Sequence, residues 1–282
     1  MKWNIVVDSG CDLEMLKVPA EDTGYERVPL KIITGEYEFV DDGNNDPRKL
    51  LDMLHESKCG SSSACPAPQE WADAFVKADY TLAFALTGGL SGSYNSALTA
   101  RYMVEEEYPD KKIFILDTLS AGPEISLLVY KANELIKEGL EFDEICEKIT
   151  EYHEHTHLMF MLSSLDTLVK NGRVSKVVGA MVGMMKIRLV GNASEQGTLE
   201  VIDKCRGFKK AVTQILASLA NEGFRDGRLI IAHSFNEKEA ATLAKAIHVS
   251  FPEAHISMMK TSGLCSYYAE EGGILIGFET SC

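Results

Sequence analysis

The stretch from Thr87 to Met103, TGGLSGSYNSALTARYM, carries residue types suited to holding an anion. A strand-like apolar run ends at Leu86, and Gly88 and Gly89 permit a tight turn. Ser91-Gly92-Ser93 then leads into a helical pattern with apolar positions at Tyr94, Ala97, Leu98, Tyr102 and Met103. The first turn of a helix has unpaired N–H groups and the positive end of the dipole, so it attracts negative charge. Gly92 lets the backbone come close to an anion, and the hydroxyls of Ser91 and Ser93 add donors. The same residues also read as an ordinary turn and helix cap. Enzyme motifs fit poorly. In Gly89-Leu90-Ser91-Gly92-Ser93 the second glycine falls one place early for a nucleophile elbow, and neither a lysine-bearing phosphate loop nor a dinucleotide fingerprint is present. Asp8, Asp12 and Asp117 stand at the ends of strand-like runs, where carboxylates bind metals, act as bases or hydrogen-bond a turn.

Other chemistry-bearing groups are scattered. The seven cysteines show no C-x-x-C pair and no nearby histidine cluster, which argues against a disulfide framework and a zinc site. His153, His155 and His157 alternate in EYHEHTHL, a spacing that suits a metal surface on one strand face or a polar loop before LMFML. No metal is expected. Met159, Met161, Met181, Met184 and Met185 crowd one region with Phe160; methionine adapts to irregular apolar shapes, so this region reads as the wall of a hydrocarbon pocket or as ordinary core.

The elements that must position these residues alternate between short apolar runs and longer helical patterns. Trp3–Val7, Tyr80–Leu86 and Ile113–Leu116 read as strands, with helices expected over 46–58, 68–77, 93–107 and 123–138. This predicts an α/β fold whose N-terminal part is a mostly parallel sheet with helices on both faces. Ligands in such sheets lie beyond the carboxyl ends of strands, which points to loops 8–12, 61–68, 87–93 and 117–122. The remainder reads as a smaller α/β domain with a mixed sheet, because its last two strands are joined without a long helix. The boundary is expected near residues 155–163, dividing the chain into 1–158 and 159–282.

The 282 residues include 28 basic and 42 acidic side chains, a net charge of −14. Such an acidic chain is a poor nucleic-acid ligand, since it repels the phosphate backbone. No charge-free apolar stretch approaches the ~18 residues of a membrane span; the longest, Val177–Met185, is flanked by Lys176 and Lys186. The N-terminus runs straight into a strand pattern without an apolar signal core, so a cytoplasmic location is expected.

The order of motifs resembles the DegV family of fatty-acid-binding proteins. VVDSGCDL, SACPAP around 63–68, LSGSYNSA at 90–97, ILDTLSAG at 115–122, LDTLVKNGRVS at 165–175 and KCRGFKKAV at 204–212 follow its landmarks along nearly the whole chain. The resemblance implies one long-chain fatty acid in an apolar tunnel between two domains, its carboxylate held by hydroxyls and backbone amides. It carries over to Ser63 in the proline-containing loop and to Ser91, Gly92 and Ser93 in the serine–glycine motif. Tyr268 stands where the family commonly has a histidine. Arg173 and Arg206 fall on family arginines and look like surface or interdomain groups that engage a partner, a fatty acid kinase. The resemblance implies no catalytic residue and no cofactor in the chain itself. The alternative from a different class is an enzyme acting on a small phosphorylated or carboxylated metabolite through the same helix start.

Overall fold

A computed structural model describes residues 1–57, 59–174 and 187–281. The apolar stretch Val177–Met185, with Met181, Met184 and Met185, lies outside the described residues.

The three apolar runs are joined by β2, a polar segment not expected as a strand, in a four-stranded parallel sheet of order β2-β1-β6-β7, built from β1 (Trp3–Asp8), β2 (Thr23–Val28), β6 (Tyr80–Ala85) and β7 (Lys112–Asp117). Alternate side chains on a strand leave opposite faces, so each strand feeds two cores. Ile5, Val7, Leu82 and Phe84 pack with α4 (Pro123–Lys137) and α5 (Phe142–His153). Val6, Ala83, Ala85, Ile113 and Ile115 pack with α2 (Pro68–Phe75) and α3 (Ser93–Glu107). The near-continuous burial of β1 and β6 is what a sheet covered on both sides requires.

Between β2 and α2 lies a small antiparallel sheet, β4-β3-β5, of β3 (Lys31–Thr34), β4 (Tyr37–Val40) and β5 (Ser61–Ala64), with α1 (Pro47–Glu56) inserted before β5. SSSA reads as loop by composition, yet it pairs as an edge strand, because β3 supplies a ladder that local propensity does not reveal.

The C-terminal part is shorter in sequence but carries the largest sheet. Its order is β10-β9-β8-β13-β11-β12, from β8 (Thr156–Leu162), β9 (Ile187–Ala193), β10 (Leu199–Arg206), β11 (Arg228–His233), β12 (His255–Lys260) and β13 (Ile274–Glu279). Only β11 and β12 pair in parallel; the other neighbours run antiparallel, so the sheet is mixed as the sequence suggested. Short α6 (Asp166–Lys170), α7 (Phe208–Asn221), α8 (Glu237–Ser250) and short α9 (Gly263–Ala269) complete it. Position 158 falls inside β8.

Candidate functional site

Residues of β8 divide between two environments. Met159 and Met161 point into the core with Ile215 and Leu219 of α7 and Leu243 of α8. Of the two readings open for these methionines, ordinary core is the one the structure shows for Met159 and Met161: the pleat turns them to the far side of the cavity. Leu158, Phe160 and Leu162 occupy the opposite face and line a largely apolar cavity. Gly191, the ladder partner of Phe160, makes room for its ring, since a Cβ there would come within 2.3 Å of it.

The opposite wall comes from the N-terminal half and α9. Leu86, Leu90 and Ser91 enter from the loop after β6, Ala121 from the loop after β7, Ser63 from β5 and Tyr268 from α9. Three of the four expected loops thus converge on one space, and loop 8–12 supports them from behind. A cavity that is largely apolar with a few convergent polar groups has the character of a small-molecule site.

The polar groups gather as neutral donors. The Ser63 and Tyr268 hydroxyls are hydrogen-bonded at 2.7 Å. Whichever donates, the other keeps an O–H to offer a ligand. Ser91 Oγ accepts the Ser93 N–H at 3.2 Å, so its own proton is also available. Arg173, exposed at its outer side, is the only charged residue among the described residues that line the cavity. Two hydroxyl protons and one guanidinium match a carboxylate, and a buried carboxylate without such partners would cost several kcal/mol.

Ser93 takes a different part from the one expected. It is fully buried, and its hydroxyl donates to Asp8 Oδ2 at 2.5 Å, away from the cavity lining. Asp8 also accepts the N–H groups of Gly10 and Leu86, at 2.9 and 3.0 Å. Burial pushes its pKa up to about 6 against the pull of these donors. Asp8 therefore ties β1, the loop after β6 and the start of α3 together, and so sets where Ser91 stands. Gly92 caps α3 outside the cavity lining; a Cβ on it would meet Cys65 Sγ at 3.1 Å. Asp117 likewise serves backbone, accepting from Gly88 and Leu119 at 2.9 and 3.2 Å.

Tyr268 is positioned by acids of the N-terminal half. Asp41 accepts the N–H groups of Gly263 and Leu264 at 2.9 and 2.8 Å, and Asp12 accepts that of Ser262 at 2.7 Å. Carboxylates at a helix start satisfy its free amides and face its positive end. Burial raises Asp12 to about 6. Behind Tyr268, the Tyr267 hydroxyl donates to Ser61 and accepts from Asn171, both at 2.8 Å. Composition offered no sign of Asp41 or Tyr267; both act through backbone and hydroxyl partners distant in sequence.

The tip of the β9–β10 hairpin closes over the serine loop. Thr87 donates its hydroxyl to the Gly197 carbonyl at 2.9 Å, and Gly197, at φ +68°, lies so close that a Cβ would strike Thr87. Arg206 is exposed at the end of β10, away from the cavity lining. Of the histidines, His153 pairs through Nε2 with the Thr118 carbonyl at 2.8 Å, and the His157 ring lies 5.1 Å from that of Phe278. No helix among the described residues is long and apolar enough to cross a membrane.

The profile of the family described as "Uncharacterised protein, DegV family" matches residues 2–280. The chain belongs to the DegV family. A DegV domain-containing protein of Streptococcus pneumoniae is 46% identical over 279 residues, covering 99% of each chain. Among solved structures, the Streptococcus pneumoniae fatty acid kinase B3 protein loaded with linoleic acid superposes with a TM-score of 0.98 at 46% identity, over 100% of both chains. A DegV family protein from Eubacterium eligens loaded with heptadecanoic acid gives 0.95 at 39% identity, covering 99% of this chain and 100% of the other. A DegV family protein from Ruminococcus gnavus, refined with vaccenic acid, gives 0.89 at 30% identity, covering 98% and 99%.

Proposed function

We propose that this DegV protein binds one long-chain fatty acid, with the tail in the cavity between the two sheets and the carboxylate at Ser63, Ser91 and Tyr268. The observation that carries this reading is an apolar cavity whose lining includes the hydrogen-bonded Ser63 and Tyr268 hydroxyls, Ser91 and, among the described residues, a single guanidinium. The acids carried by two of its structural relatives, linoleic and heptadecanoic, fit the same chemistry. Burying some fourteen methylenes at about 0.8 kcal/mol each offers on the order of 11 kcal/mol before ordering costs, enough to retain ligand through purification.

The reading treats the chain as a carrier and not an enzyme. Asp8, Asp12 and Asp117 are engaged by backbone amides, so the alternative of a small-metabolite enzyme lacks a base at the cavity. It is a cytoplasmic protein of two α/β units that presents its acid to a kinase, which brings the nucleotide and metal. Arg173, at the cavity rim, and Arg206, exposed on β10, are the contact points for that partner.

The test is to denature the purified protein, extract it with organic solvent and weigh the extract by mass spectrometry. One fatty acid per chain is expected. An empty extract, with no thermal shift on adding oleate, would overturn the proposal.

A further inference from the structure

A second cavity, sharing no lining residue with the first, opens beyond the carboxyl ends of β11 and β12. It has a volume of about 310 Å³ and is bounded by Glu14, the turn around Asn45 and Asp46, His233, Phe235 and Lys260. His233 and Lys260 are register partners in the parallel pair, so both side chains leave the sheet on the same face. Two residues earlier on each strand, this face carries Ile231, packed in the core beneath α8, and Met258.

His233 is 5% exposed. Its Nδ1 accepts the Asn236 N–H at 3.3 Å, which places the ring proton on Nε2. Burial lowers its pKa, so the ring is neutral and offers that proton as a donor. Among the described residues Nε2 has no hydrogen-bond partner and Lys260 has no ion pair. His233 lines the cavity, so this N–H is open to donate to an acceptor from outside the chain. Carboxylates line the same cavity. Glu14 is exposed, and Asp46 uses Oδ1 to cap α1 through the Arg48 N–H at 2.9 Å, leaving Oδ2. Phe235 closes the rim in a left-handed conformation, φ +52°, with the Arg48 guanidinium 4.2 Å over its ring. L-residues of this bulk avoid that region unless the surroundings hold them there.

We propose that this cavity binds a small zwitterion of amino-acid size. Its oxyanion meets His233 Nε2–H and Lys260, and its ammonium meets Glu14 and Asp46. A simple anion would leave the two carboxylates opposed to it, and a simple cation would meet Lys260. A molecule bearing both charges satisfies both walls. Its position at the ends of parallel strands is where α/β sheets take ligands. The proposal is independent of fatty acid binding.

Ligand-observed NMR titration of the full chain with alanine tests it, with acetate and methylammonium as half-molecules. Alanine should bind saturably and more tightly than either half-molecule. Lys260→Gln and Glu14→Gln should each weaken it about tenfold, the loss of one charged hydrogen bond. Both positions are exposed, and the fatty acid content of each variant should remain that of the parent. Absence of saturable alanine binding, equal binding of acetate, or unchanged affinity in Lys260→Gln would each overturn the proposal.

Discussion

The Ser63 and Tyr268 hydroxyls meet at 2.7 Å although 205 residues separate them in the chain. One lies on the edge strand of the smallest sheet and the other on a seven-residue helix near the C-terminus. Their contact is made by folding alone, and it gives the cavity wall a pair of coupled donors.

Replacing Tyr268 by Phe keeps the ring and removes the hydroxyl. Fatty acid affinity should fall by about 1 kcal/mol, a factor of roughly five to ten, while thermal stability changes little. Combining it with Ser63→Ala should cost less than the sum of the two single changes, because each already disables the shared bond. Displacement of a fluorescent fatty acid measures all three; strict additivity would show that the pair does not act together on the ligand.

Ser91→Ala and Ser93→Ala should separate binding from architecture. The first should weaken fatty acid binding by about 1–3 kcal/mol if its hydroxyl meets the carboxylate, with a nearly unchanged melting temperature. The second leaves buried Asp8 short of one donor and should destabilise the fold by about 1–3 kcal/mol. Calorimetric melting beside ligand titration tests the pair, and reversed outcomes would reassign the two serines.

Stability should depend on pH through Asp8 and Asp12. Both rise from 3.8 to about 6 through burial. A folded pKa above the unfolded one means that the native state takes up the proton first, so stability grows as pH falls through 6 and is lost as pH rises. Each carboxylate should contribute about 1 kcal/mol between pH 7 and pH 5, approaching about 3 kcal/mol below the unfolded value. Burial lowers the pKa of His157 and His233, which acts in the opposite direction. The informative comparison is therefore the parent against Asp12→Asn by urea unfolding. The parent should gain stability relative to the variant on acidification, and parallel profiles would count against the assignment.

Gly191→Ala should be costly at a position that reads as an ordinary strand residue. Its Cβ would press on the Phe160 ring and on the Glu200 carbonyl, at 2.3 and 2.1 Å. A penalty of about 1–3 kcal/mol is expected from overpacking, with a loss of fatty acid capacity as Phe160 is pushed into the cavity. Chemical denaturation and extraction of bound lipid check the two effects.

Much of this was legible in sequence because the signals were local. Three of the four parallel strands announced themselves as apolar runs before turns, the polar β2 did not, and Ser91 stood at a recognisable strand-to-helix junction. Ser63 and Tyr268 followed from motif order, not from their own chemistry. What escaped depended on distant partners. SSSA became a strand only by pairing with β3. Whether Met159 and Met161 wall a pocket or fill the core stayed open, because residue type says nothing about which face a pleat presents. Ser93 looked equivalent to Ser91 until Asp8, 85 residues away, claimed its hydroxyl.

The alternation along β8 has a consequence for how relatives of this protein diversify. Leu158, Phe160 and Leu162 touch the cavity, while Met159 and Met161 between them hold the core together. Selection can therefore lengthen, shorten or bend the space available to an acyl tail at every second position, with the intervening ones left to keep the protein folded. Substrate range and foldability are written on the same seven residues, in alternate letters.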